Sequence, residues 1–70
     1  MSIDELIEVL QEAREDLGGD AEVRLAMQPN WPFEYTIRNG TASAEGVIYL
    51  AEGRQLDYLP GEISQEFGWK

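Results

Sequence analysis

Seventy residues with no cysteine, no histidine and a net charge of -9 leave few kinds of protein open. A chain this short buries about 60% of its unfolded surface in one thin core. One domain spanning residues 1–70 is therefore expected, without disulfides, thiolate nucleophiles, imidazole acid-base chemistry or Cys/His zinc sites. Fourteen acids against five bases make free nucleic acid and anionic membranes poor partners, and no apolar run reaches the roughly 18 residues of a membrane span.

The first element is signalled by Ser2-Ile3-Asp4-Glu5, which has the spacing of a capping box. A helix is expected from residue 3 to 17, ended by Gly18-Gly19 with a left-handed glycine. At about 100° per residue, Ile3, Leu6, Ile7, Leu10, Ala13 and Leu17 form one apolar stripe, expected to face the core. Asp4, Glu5, Glu8, Glu12, Glu15 and Asp16 fall together on the opposite side. Residues 1–22 hold eight acids and one base, Arg14, a net of -7, so the remaining residues share only -2. From Asp4 to Asp16 the helix rises about 18 Å, placing carboxylates on average about 3.6 Å apart along the axis. A single DNA strand carries one charge per roughly 3.4 Å.

Beyond the glycines, Glu22-Val-Arg-Leu-Ala-Met-Gln28 alternates as a half-buried strand, and Pro29-Asn30-Trp31-Pro32 breaks it. Phe33, Tyr35 and Ile37 alternate in a second strand, with a tight reversal expected at Asn39-Gly40. Thr41-Ala-Ser-Ala-Glu-Gly46 is a loop or the weak start of a third strand, whose strong part, Val47-Ile-Tyr-Leu-Ala51, is apolar on both faces. Glu52-Gly53 reads as a turn into a fourth strand over residues 54–59, ended by Pro60-Gly61. Residues 62–67 make one or two helical turns with Ile63 and Phe67 at i and i+4. The expected fold is α+β: an N-terminal amphipathic helix packed on a three- or four-stranded antiparallel sheet, with a short C-terminal helical turn.

Motifs with chemistry are missing. The carboxylates line an exposed helix rather than a concave site that would raise one pKa, so no catalytic residue is assigned. There is no D-x-[DN]-x-[DN]-G loop and no phosphate-binding glycine spacing, so neither a metal nor a cofactor is expected. Trp31, Phe33 and Tyr35 would point to one sheet face at period two, as in single-strand binding platforms. With only Arg24, Arg38 and Arg54 available beside them they read better as core. Trp31, between Pro29 and Pro32, is either a lid on the core or an exposed interface anchor.

The run Asp20-Ala-Glu-Val-Arg-Leu-Ala-Met-Gln-Pro-Asn-Trp-Pro-Phe-Glu-Tyr35, with Val47-Ile-Tyr-Leu-Ala-Glu-Gly53 and Tyr58-Leu59-Pro60, resembles a group of small acidic proteins of bacteriophages, prophages and actinobacteria. The resemblance covers most of the chain, carries no activity or catalytic residues over, and implies a setting. Small acidic phage proteins often inhibit host defence or nucleic-acid enzymes, DNA-mimicking anti-CRISPR proteins being one kind. It implies a non-enzymatic inhibitor in the host cytoplasm whose partner is a basic nucleic-acid-binding host protein. Asp4, Glu5, Glu8, Glu12, Glu15 and Asp16 would then stand in for phosphates. The alternative is a protein-interaction module or homodimer using an apolar patch around Trp31, its acidity serving only solubility. A monomer and a homodimer are both compatible with the sequence.

Overall fold

The computed structural model describes residues 1–28 and 31–69. Helix α1 spans Ile3–Leu17, followed by strands β1 (Arg24–Met27), β2 (Phe33–Ala44) and β3 (Val47–Tyr58) and helix α2 (Gly61–Glu66). The strands form an antiparallel meander in the order β1-β2-β3. The expected α+β architecture is present with three strands.

The start of α1 follows from its first residues. The Glu5 amide donates to Ser2 Oγ at 3.0 Å and the Ser2 amide donates to Glu5 Oε1 at 2.9 Å, so two of the amides left over at the helix start are satisfied reciprocally. At the other end Gly18 takes a φ of +93° with an extended ψ of 157°, and its amide closes on the Arg14 carbonyl at 2.8 Å. The positive φ is the expected one, but the full left-handed conformation is not adopted.

Two expectations about the sheet are corrected. Asn39-Gly40 is not the reversal: β2 runs through it to Ala44, and the chain turns at Glu45-Gly46, where φ is 53° and 78°. Glu52-Gly53 is not a turn either, so residues 54–59 make no separate fourth strand and β3 is continuous. The physical reason lies in the register. Between the Ile37↔Glu52 and Thr41↔Leu50 pairs, β2 carries two more residues than β3. Each of the steps Phe33/Tyr35 and Tyr35/Ile37 is matched by one extra residue of β3. These bulges cancel, so a reversal at Glu45-Gly46 lets two 12-residue strands pair from end to end. Gly40, at φ +88°, uses its freedom for a bulge instead of a turn.

Gly53 is required by close approach. Thr36 Oγ1 accepts the Arg54 amide at 2.8 Å, and a Cβ on Gly53 would collide with that same oxygen. Gly53→Ala is expected to lose about 2 kcal/mol, as overpacking does where the neighbour is hydrogen-bonded in place. Equilibrium denaturation of the two proteins checks this; equal midpoints would contradict it.

The core is smaller than the length suggests. Leu59, at 9% exposure, is the buried apolar residue among those described, and Ser64, at 6%, is the buried polar one. Both lie where β3 passes into α2. There the Leu59 amide donates to the Pro32 carbonyl at 2.9 Å, and the Ser64 amide donates to the Pro60 carbonyl at 3.1 Å. Leu25, Ala26, residues 33–37 and Leu56 of the sheet, with Pro32 just before β2, are half-buried. Contact between elements is concentrated among the three strands. The apolar stripe of α1 was expected to face a core, and the structure corrects this. No residue of α1 is buried, Ile3 is 61% exposed and Leu17 67%, and only Leu6 and Ala13 reach intermediate exposure.

The global dimensions agree. The chain exposes 6133 Å², where a compact monomer of its 7.9 kDa exposes about 4,400 Å². Its radius of gyration is 13.4 Å against about 11 Å for a compact 70-residue domain. The reason is the distal part of the β2–β3 hairpin, residues 41–44 and 47–50, which extends past β1 as an arm, since β1 pairs only with residues 33–36. One face of this arm borders α1 across a groove.

Candidate functional site

The six carboxylates expected to act together are brought together. Asp4, Glu5, Glu8, Glu12, Glu15 and Asp16 all lie on α1 and all are exposed. At about 100° per residue they span an arc of about 120°, from Asp4 to Asp16. Arg14 falls outside this arc, about 20° from Ile3 on the apolar side, so no cation of the helix interrupts the acidic face. The ion pairs among the described residues lie elsewhere. Arg24 donates from Nη1 to Glu34 Oε1 at 2.8 Å and from Nη2 to Glu22 Oε1 at 3.1 Å. This pairing raises the Arg24 pKa, chiefly through the hydrogen bond to Glu22. It holds the Glu22 carboxyl below its usual value, mainly through the same bond.

Glu5 differs from its five companions because it also holds the helix start. The Ser2 amide, and secondarily the Ser2 hydroxyl, lower its pKa below the ordinary 4.5. A depressed carboxyl stabilises the folded state above its unfolded pKa, and that contribution is lost as pH falls through the lower, folded value. Acid fraying of the first turn is therefore expected below pH 4.5, with Ser2→Ala moving the Glu5 midpoint upward. A carboxyl-resolved NMR titration checks both; a Glu5 midpoint at or above 4.5 would contradict the capping box.

Trp31 stands apart. It lies in the β1–β2 connection, outside the strands, and is 62% exposed, so it is not a lid over the core. Of the expected Pro29/Pro32 bracket, Pro29 lies outside the described residues, as does Asn30. Trp31 lines none of the described grooves along α1. Phe33 and Tyr35 do not join it in a platform: Phe33 stacks on Tyr58 at 4.9 Å and 15°, and Tyr35 donates its hydroxyl to Gln55 Oε1 at 3.0 Å. Both rings serve cross-strand pairing within the sheet.

One surface was not anticipated. Ile48 and Leu50 of the arm, with Ile3, Leu6, Ile7 and Leu10 of α1, line an apolar groove of about 270 Å³. The signal was in the sequence, in the run Val47-Ile-Tyr-Leu-Ala51 that is apolar on both faces, but it reads equally as a fully buried strand.

Among the described residues no group of three or more acids could hold a metal ion, and no helix is long and apolar enough to cross a membrane. No family model matches the chain, and no curated protein sequence or solved structure matches it either.

Proposed function

We propose that this small α+β protein is a non-enzymatic, protein-binding inhibitor. The acidic face of α1 occupies a basic groove made for nucleic-acid phosphates, on a nucleic-acid-binding protein of a host cell. The setting would be that of phage anti-defence proteins of the anti-CRISPR kind. One observation carries this reading: six exposed carboxylates project from a single capped helix within 12 residues' rise, with no cation of that helix among them. A helix fixes their spacing in advance, so a groove that binds phosphates meets an array already ordered. The partner is reached through charge, which makes the association fast at low salt and weak at high salt.

The exposure of Trp31 favours a second reading, in which that ring anchors an apolar contact. Capture from nuclease-treated lysate with three tagged proteins separates the two. On the proposed reading Glu8→Gln/Glu12→Gln/Glu15→Gln loses a basic partner that the parent chain and Trp31→Ala both retain. Loss with Trp31→Ala and retention by the triple variant overturns it in favour of the second.

A further inference from the structure

We infer that the open apolar flank of α1 and the hairpin arm are covered by a second copy of this chain. The β3 half of the arm is apolar on both sides. Ile48 and Leu50 face α1 across the groove, while the register pairs Val47 with Ala44 and Tyr49 with Ala42 on the opposite side. At the tip of the arm Val47 shares a groove with residues 1–4, while Tyr49 farther along is 58% exposed and Val47 itself 47%. On α1, Ile3 and Ile7 form the flank turned away from the half-covered Leu6 and Ala13.

The area identifies the kind of occupant. The 6133 Å² exposed exceeds that of a compact monomer by about 1,700 Å². Two chains covering that excess would bury about 3,400 Å², inside the range of roughly 2,000 to 5,000 Å² seen for obligate homodimers. A core with one apolar residue below a tenth exposed among the described residues gains its missing layer from such a contact. A second copy is the partner present at fixed stoichiometry from synthesis onward.

Charge constrains how the copies meet. Val47, Tyr49, Ile3 and Ile7 bring no charge; Asp4 borders Ile3 and Val47 at the tip of the arm, and Arg14 lies at the far end of the helix beside Gly19. Two chains of net charge -9 meet here about a twofold axis that turns their acidic helix faces outward and keeps the two Asp4 carboxylates at the rim. The dimer stands whether or not the acidic face binds a partner.

Sedimentation equilibrium of the purified chain at 1 to 100 µM, in low salt and in 0.5 M KCl, tests it together with melting at each concentration. The expected mass is about 16 kDa, twice the 7.9 kDa chain. Added salt preserves the dimer, since it screens the acidic faces. The melting temperature should rise by about 4 °C for each tenfold in concentration, as mass action requires for a dimer of this size. Val47→Asp/Tyr49→Glu should abolish the 16 kDa species, folded or not, whereas Glu8→Gln should leave it intact. A folded monomer whose melting ignores concentration overturns the proposal, as does a chain that is unfolded alone or forms open-ended assemblies. A dimer that survives the double substitution overturns the assignment of the arm.

Discussion

Leu59→Ala is expected to lower the folding free energy by about 3 kcal/mol, within the range of buried Leu→Ala substitutions. Leu59 is the apolar side chain below a tenth exposed among the described residues. It sits where three pieces of chain join: the end of β3, the start of α2 and the β1–β2 connection, tied by the Leu59 amide on Pro32. A cavity there has no second layer of core around it to relax into place. A 70-residue domain holds roughly 3.5 to 10 kcal/mol in total, so this single change removes a large share of it. Val9→Ala, on the opposite element and 51% exposed, should cost well under about 1 kcal/mol. Urea denaturation of the three proteins checks the contrast. If Leu59→Ala and Val9→Ala were equally mild, the junction of β3 and α2 would not be the core.

The second large effect is on binding. Replacing Glu8, Glu12 and Glu15 by Gln keeps side-chain shape and nearly the same helix propensity while removing three charges from the centre of the acidic face. If that face replaces phosphates, the slope of log affinity against log salt should become shallower by about 3, and affinity near 0.1 M salt should fall about a hundredfold or more. The melting temperature should hold or rise, because like charges at i,i+4 on α1 repel one another. Binding isotherms at several KCl concentrations measure the slope. An unchanged slope would place the interface elsewhere, and a lost fold would show in the far-ultraviolet spectrum.

Local chemistry made the ends of the fold legible in the sequence. Ser2 and Glu5 mark the start of α1, Gly18 its end, and the prolines at 32 and 60 stand just before β2 and just before α2. These signals depend on neighbours a few residues apart, which the sequence displays directly. The hairpin was misjudged because Asn39-Gly40 and Glu52-Gly53 have the composition of turns but serve as irregularities inside paired strands. Which use a glycine is put to depends on the register of the partner strand, and in Gly53's case on a threonine 17 positions away in the sequence.

The candidate site divides in the same way. The acidic face of α1 was legible because helical periodicity alone gathers those residues. The apolar stripe was equally visible, but its exposure was not, since periodicity shows which residues share a face and not whether anything covers it. Trp31 was assigned two roles, and its 62% exposure decides against the lid.

Competition by duplex DNA tests the binding role most directly. Tagged protein is saturated with the basic host protein it captures from nuclease-treated lysate, then washed with duplex DNA at constant low salt. A phosphate-mimicking face and DNA exclude each other, so the captured protein should be released in step with DNA concentration, and the Glu8/Glu12/Glu15 variant should capture nothing to release. A partner that stays bound under saturating DNA, and is held equally by the variant, would contradict the account.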